Sequence, residues 1–258
     1  MQTSIIIEGY SASSEYESAT RLHADRLTEI LGTEVYYGYA RKGDPSIDEA
    51  VSEAVEDGAD RIIVVPFYFA PGKITDGTTL ERFMADEDSR TGSVEVRGRD
   101  IPVSVARMFI TYPSVRDVIL SVCRTEVKDK AKTGIMMVGH GSRDGHNLAI
   151  VRKLGDAAVS DGFDVICCSN EFDEPSIQTA LREMSSRKSD IVVIPMFISP
   201  NKHSRTDVPT NLGLGAGVLE GNVDVNGKTV HLRVANEIGL AEGITKILAE
   251  SLKDTDWL

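Results

Sequence analysis

The sequence predicts an α/β protein made of two similar lobes, each a parallel sheet flanked by helices. Three observations lead to this fold class: continuous apolar runs of strand length, amphipathic helical segments between them, and an internal repeat that spans the chain. Apolar runs that alternate with helices are typical of parallel sheets covered on both faces. Ligands of such sheets bind at the carboxyl ends of the strands, so we expect the active site there, in the cleft between the lobes.

Four pairs of segments match in the same order along the chain. They are "IIIEGY" (5–10) with "MVGHGS" (137–142), "DPSIDEA" (44–50) with "EPSIQTA" (174–180), "IIVVPFYFAPGK" (62–73) with "IVVIPMFISPNK" (191–202), and "GRDIPVSVARMF" (98–109) with "GKTVHLRVANEI" (227–238). The offsets lie between 129 and 132 residues, which indicates a duplicated domain. We expect an N-terminal lobe over 1–126 and a C-terminal lobe over 133–258, joined by a charged segment.

Each half predicts the same series of elements. A strand, a helix and a short strand come first, and Pro45 or Pro175 then stands as the first residue of a second helix. Ile177, Ala180, Leu181 and Met184 are spaced to share the apolar face of that helix in the second half. A third strand, a loop with a helix, a fourth strand and a closing helix complete each half.

Composition narrows the function classes. The chain has 258 residues, 41% of them hydrophobic, and a net charge of −12 from 40 acidic and 28 basic residues, which argues against nucleic acid or anionic membrane as partners. Three cysteines without metal-finger spacing indicate a reducing compartment, and no leader pattern opens the chain, so we expect a cytoplasmic protein. The glycine-rich stretch 211–222 follows no strand and lacks a GK[ST] ending, so it predicts a flexible loop and no nucleotide cofactor.

Three polar residues of the second half follow three successive strands. His140, Glu171 and His203 therefore fall at the carboxyl edge of one predicted sheet. Two imidazoles and a carboxylate suit a borderline divalent ion such as cobalt, nickel, iron or zinc. The corresponding positions of the first half are Glu8, Arg41 and Ile74, a set that cannot bind a metal in the same way. We therefore expect a metal site in the second half and a degenerate copy in the first.

Several interpretations remain open for individual residues. Glu171 is either part of the metal site or an exposed turn residue, and a small shift in alignment would put Asp173 or Glu174 in its place. His146 is interpreted as an exposed residue near a helix start. The two other histidines, His23 and His231, are assigned to structural positions.

At these residues the sequence resembles the class II tetrapyrrole chelatases, and most closely the sirohydrochlorin cobaltochelatases of the CbiX type. The resemblance is carried by "GHGSRD" (139–144), "NEFDEPSIQTAL" (170–181), "VVIPMFISPNKHSRTDVP" (192–209) and "GKTVHLRVANEIG" (227–239). It implies a duplicated chelatase-like fold. It also implies that His140 and His203 bind the metal and accept protons, with Glu171 as their acidic partner.

The resemblance further implies ATP-independent insertion of a divalent metal, with Co²⁺ favoured, into sirohydrochlorin or a related anionic tetrapyrrole for cobalamin-type biosynthesis. The protein would be a monomer or a homodimer. Such a substrate carries many carboxylates, so cationic and hydroxyl side chains are expected around it. The candidates are Ser142, Arg143, Lys202 and Arg205 in the second half, and Arg41 and Lys73 in the first.

Other functions stay possible from the sequence alone. The ion could be Ni²⁺ or Fe²⁺, for coenzyme F430 or siroheme synthesis. A non-catalytic tetrapyrrole or metal carrier on the same scaffold is a second candidate. A protoporphyrin ferrochelatase is disfavoured, because the aromatic content of 6% suits a polar ring better than an apolar one.

Overall fold

The computed structural model describes residues 1–11, 18–70, 76–255 and 257, which form two five-stranded sheets flanked by helices. The strands are β1 Thr3–Ser11, β2 Val35–Lys42, β3 Arg61–Phe67, β4 Thr91–Val96, β5 Arg99–Val105, β6 Thr133–Gly139, β7 Val165–Ser169, β8 Asp190–Pro195, β9 Glu220–Val225 and β10 Lys228–Val234. The helices are α1 Ala19–Leu31, α2 Ile47–Glu56, α3 Asp76–Arg82, α4 Val115–Glu126, α5 His146–Ser160, α6 Ile177–Arg187, α7 Val208–Asn211 and α8 Glu242–Leu252.

Both sheets have the same topology, which confirms the predicted duplicated α/β fold. The strand orders are β2-β1-β3-β5-β4 and β7-β6-β8-β10-β9. Within each sheet four strands are parallel, and the edge strand, β4 or β9, is antiparallel to its neighbour. The central strands β1 and β6 carry buried side chains almost throughout, as expected for strands covered on both faces.

The two antiparallel edge strands were not predicted from the apolar pattern, because only alternate residues of β9 are partly buried. Each belongs to a hairpin whose two turn residues have positive φ: Arg97 and Gly98 in the first sheet, Asn226 and Gly227 in the second. Such turns match the twist of a two-stranded ribbon. The stretch 211–222, predicted as a flexible loop, accordingly ends in the first residues of β9.

The second helix of each half begins after a serine cap. Ser46 and Ser176 are the N-caps of α2 and α6, and each side chain accepts a hydrogen bond from the backbone N–H three residues on. The prediction that Pro45 and Pro175 are the first helical residues was therefore wrong, since both precede the cap. The predicted apolar face of α6 is confirmed, with all four of its residues buried.

The closing helix of each repeat belongs to the compact unit that the other repeat forms. Contacts divide the chain into one compact unit of Met1–Pro113 with Glu242–Leu258, and a second unit of Ser114–Ala241. Helix α4 thus contacts α5 of the second unit, and α8 contacts α1 and β3 of the first. The predicted lobes, 1–126 and 133–258, assign each closing helix to its own repeat. Helical periodicity shows which face a helix buries, but not which sheet receives it.

Strand register corrects one correspondence between the halves. Glu8 in β1 lies opposite Pro66 of β3, whereas Val138 in β6 lies opposite Pro195, the counterpart of Pro66 in β8. Glu8 is therefore the counterpart of Val138 and not of His140. Counting on two residues, Tyr10 occupies the position of His140, so the offset of 132 residues predicted for this segment was wrong by two.

Glu8 is consequently a core residue. Its carboxyl accepts a hydrogen bond from the Thr79 hydroxyl, and its second oxygen is buried without a hydrogen-bond partner in the part of the chain that the structure describes. Burial raises the pKa of this carboxyl, although the hydrogen bonds of Thr79 and Tyr68 oppose the shift.

Glu8→Gln is therefore expected to be more stable than the wild type at pH 8, by about 1 kcal/mol, and not at pH 4. Because the folded-state pKa is raised, the folded protein keeps a proton that the unfolded chain releases, and stability falls as the pH rises past the unfolded-state pKa. Urea unfolding between pH 4 and 8 measures this dependence. Glu29→Gln, at an exposed position of α1, is the control and should leave the pH slope unchanged. Equal slopes for Glu8→Gln and the wild type would contradict the assignment.

No helix in the described ranges combines the length and the apolar character needed to cross a membrane.

Candidate metal site of the second unit

The carboxyl edge of the second sheet brings the predicted residues together. His140 follows β6, Glu171 follows β7, and His203 lies beyond β8. The His140 and His203 rings meet edge to face with centroids 4.6 Å apart. Glu171 Oε1 lies 3.7 Å from His203 Nδ1. All three side chains are half-buried, so they are held in place yet open to a ligand.

Asp207 is a fourth member of this site and was not among its predicted residues. Its Oδ2 lies 2.8 Å from His203 Nδ1. Among the described residues, Glu171, His203 and Asp207 form the one group of three whose ligand atoms lie close enough together to hold a metal ion. The signal in the sequence is the spacing of four residues, because His203 and Asp207 begin and end one turn of π-helix. Single π-helical turns are frequent at functional sites.

Hydrogen bonds determine which nitrogen of each imidazole remains available. His203 Nδ1 faces the Asp207 carboxylate, and His140 Nδ1 lies 3.1 Å from the Gly141 carbonyl oxygen. A carbonyl or an ionised carboxylate only accepts, so Nδ1 carries the proton in both neutral rings. Nε2 therefore keeps its lone pair in each ring, as a metal ligand or a proton acceptor requires.

The loop after β6 is tied closely to the loop after β7. Gly141 has a φ of +92°, and a Cβ at this position would lie 1.8 Å from the Glu171 carbonyl oxygen. The Glu171 N–H donates to the His140 carbonyl, and the Asn147 side chain accepts from the Gly141 N–H. The glycine of the "GHGS" segment is therefore needed for close approach, and these bonds hold His140 and Glu171 in register.

Two neighbouring acids, left open by the sequence, have other partners. Asp173 accepts a hydrogen bond from the backbone N–H of Ser142, and Glu174 accepts one from the backbone N–H of Ser176. Glu171 is the acid of the three that lies within 4 Å of His203. The geometry favours Glu171 as the acidic partner of the histidines.

A buried carboxylate anchors the turn that carries His203. Glu237 has no exposed side-chain surface, accepts a hydrogen bond of 2.6 Å from the Ser204 hydroxyl, and pairs with Arg205 at 2.5 Å. Ser204 and Arg205 both lie inside the π-helical turn between His203 and Asp207. Glu237 thus connects this turn to the segment after β10. Glu237 was not among the predicted residues, because nothing in the sequence pattern marks an acid after a strand as buried.

The proposed substrate-binding cations of the second unit differ in exposure and in ion pairing. Arg143 and Lys202 are exposed. The Arg143 guanidinium lies beside the ring of Phe172, and Lys202 directly precedes His203. Arg205 instead pairs with Glu237. The structure therefore gives Arg205 a structural partner, while the other two cations lie at the surface near the histidines.

The remaining candidates have local partners or lie outside the described residues. The Ser142 hydroxyl accepts a hydrogen bond from the Asn147 N–H, and its interaction with Asp144 lowers the pKa of that carboxyl. In the first unit, Arg41 donates to the Tyr10 hydroxyl over 2.8 Å. Tyr10 and Arg41 occupy the positions of His140 and Glu171, so a phenol and a guanidinium stand where the second unit has an imidazole and a carboxylate. Lys73 and Ile74 lie outside the described residues.

The other histidines have the positions expected of them. His146 is the first residue of α5 and is exposed. His23 is buried on α1, with Nδ1 2.8 Å from the Thr245 hydroxyl. His231 on β10 lies between the carboxylates of Asp190 and Glu220.

These features together define a duplicated α/β protein with a histidine–carboxylate site at the carboxyl edge of its second sheet. The CbiX family model matches residues 4–126 and, a second time, residues 134–255. The chain belongs to the CbiX family, and each of its two sequence repeats matches the family model.

Curated relatives match about half of the chain. The sirohydrochlorin cobaltochelatase of Methanosarcina barkeri is 30% identical over 129 residues, which are 48% of this chain and 96% of the relative. That of Saccharolobus solfataricus is 28% identical over 124 residues, or 47% of this chain and 94% of the relative. Nearly the whole length of each relative is thus similar to about half of this chain.

Solved structures of about the same length as this chain have the same fold. SirB from Bacillus subtilis with Fe³⁺ is similar with a TM-score of 0.65 and 12% identity, covering 99% of this chain and 96% of that one. A CbiX described as the terminal enzyme of siroheme biosynthesis in denitrifying bacteria gives a TM-score of 0.64 and 18% identity, covering 98% and 99% of the two chains. At these identities the similarity concerns the fold alone.

Proposed function

We propose that this chain is a tetrapyrrole metal chelatase that inserts Co²⁺ into sirohydrochlorin or a close relative, without ATP, in cobalamin-type biosynthesis. The observation that carries the proposal is the contact of His140 and His203, with Glu171 and Asp207 beside His203. Family membership and the names of the curated relatives support the same reaction.

The chemistry requires an ion to lose its water ligands while two pyrrole N–H groups lose their protons. The Nε2 atoms of His140 and His203 would hold the incoming ion or accept those protons. A proton taken up by His203 at Nε2 gives an imidazolium whose Nδ1–H faces Asp207 and Glu171. The same carboxylates attract the divalent ion before insertion. Metal and protons therefore compete for one set of groups, so metal affinity should fall on acidification.

Nitrogen and carboxylate oxygen ligands also accept Ni²⁺ and Fe²⁺. The alternatives of nickel insertion for coenzyme F430, iron insertion for siroheme and a non-catalytic tetrapyrrole or metal carrier therefore enter the same test.

The test incubates the purified chain with sirohydrochlorin and Co²⁺, Ni²⁺ or Fe²⁺ in turn, under anaerobic conditions, and follows the absorbance change of the ring. We expect insertion of cobalt well above the spontaneous rate, and a lower rate with the other ions. Faster insertion of nickel or iron would assign the enzyme to that metal. No acceleration with any ion would contradict the enzymatic proposal and favour a carrier.

A further inference from the structure

Phe172 has two properties that are unusual together. Its side chain is 60% exposed, and its backbone has a φ of +69°, in the left-handed region that disfavours residues with a Cβ. Exposure of a large aromatic ring contributes little to folding, and the backbone conformation opposes it. Burial and backbone preference therefore do not account for phenylalanine at this position.

The ring lies at the edge of the metal site. Phe172 directly follows Glu171, and its ring centroid is 6.5 Å from that of His140, with the two planes inclined by 31°. The Cζ atom of Arg143 lies 5.7 Å from the centre of the same ring. An exposed apolar face and an exposed guanidinium thus stand side by side, next to a histidine of the site.

This pairing matches the chemistry of a flat conjugated ring with carboxylates at its edge. Aromatic side chains attract such rings through offset or edge contacts, and arginine binds carboxylates in bidentate fashion. We propose that Phe172 contacts the face or edge of the tetrapyrrole, and that Arg143 binds one of its carboxylates, so that the two residues orient the ring over the histidines. This inference rests on the proposed function, because it assumes a tetrapyrrole substrate.

Titration of the purified chain with metal-free sirohydrochlorin, followed by fluorescence, tests the inference directly. Phe172→Ala and Arg143→Ala should each raise the Kd roughly three- to tenfold, as expected for the loss of one aromatic or one charged contact. The Arg143 effect should diminish at high salt and the Phe172 effect should persist, since salt screens only the charged contact. Calorimetric affinity for Co²⁺ alone should be unchanged in both variants.

Phe172→Gly separates a ligand contact from a structural role. Glycine tolerates positive φ, so this variant should unfold at the same or a higher urea concentration than the wild type, while its affinity for the ring falls. A structural phenylalanine would give the opposite result, with lower stability and unchanged affinity. Val159→Ala, an exposed apolar position near the end of α5, is the control and should change neither quantity.

The outcomes distinguish the two proposals. A wild-type chain that binds sirohydrochlorin and inserts cobalt, with unchanged Kd values for the Phe172 and Arg143 variants, overturns this inference and leaves the proposed function standing. A wild-type chain that neither binds the ring nor accelerates insertion overturns the proposed function, and this inference with it.

Discussion

His203→Ala is expected to lower the rate of cobalt insertion roughly 100- to 10,000-fold, the range observed when a group that transfers protons is removed. His203 is the centre of the site, because it contacts His140 on one side and lies within 4 Å of Glu171 and Asp207 on the other. Its removal takes away an Nε2 ligand and leaves two carboxylates without their shared imidazole. Single-turnover absorbance measurements with sirohydrochlorin and Co²⁺ give the rate.

Binding of the metal-free ring should change much less in the same variant. If Phe172 and Arg143 orient the tetrapyrrole, a chelatase that lacks His203 still binds sirohydrochlorin but no longer inserts the metal. A carrier shows no metal insertion even in the wild type. His146→Ala is the matched control, since His146 is an exposed histidine of the same unit at the start of α5. A His203→Ala protein that inserts cobalt at the wild-type rate would remove His203 from the mechanism.

The candidate site could be predicted from the sequence because it follows a rule of topology. Parallel strands align their carboxyl ends, so His140, Glu171 and His203 meet although 31 and 32 residues separate them along the chain. Asp207 could have been predicted from a second rule, since a spacing of four residues from His203 places the two side chains on one side of a helical turn. Its hydrogen bond to His203 required the structure, because a π-helical turn is not encoded in an apolar pattern.

Other features depend on contacts that periodicity does not contain. The hairpin of β9 and β10 has a local signal in Asn226–Gly227, a favoured pair for this turn, although the residues of β9 are too polar to indicate a buried strand. The packing of α4 against α5 depends on the path of the chain after β5. The position of Glu8 depends on strand register, where a shift of two residues keeps a side chain on the same face and so escapes detection by alternation.

Glu237→Ala is expected to lower the free energy of unfolding by about 3 kcal/mol and to weaken Co²⁺ binding as well, because one carboxylate supports the whole turn that carries His203. Removal of one partner of a buried ion pair leaves the other charge uncompensated, and this loss is usually larger than the net stabilisation by the pair. Loss of the Glu237 carboxylate would leave Arg205, whose side chain is 18% exposed, and the buried hydroxyl of Ser204 without this acceptor. Urea unfolding measures the stability, and Co²⁺ calorimetry measures the site.

A double variant distinguishes the charge from the position. Arg205→Met with Glu237→Met replaces both charges by side chains of similar volume, and such replacements are often neutral or stabilising. We expect this variant to recover most of the lost stability, but with weaker Co²⁺ binding than the wild type, since the bonds from Glu237 to Ser204 and Arg205 also set the geometry of His203 and Asp207. Full recovery of both quantities would assign Glu237 a role in stability only. A stable Glu237→Ala protein with wild-type metal affinity would contradict the anchoring role, and the turn would then hold its shape through its own hydrogen bonds.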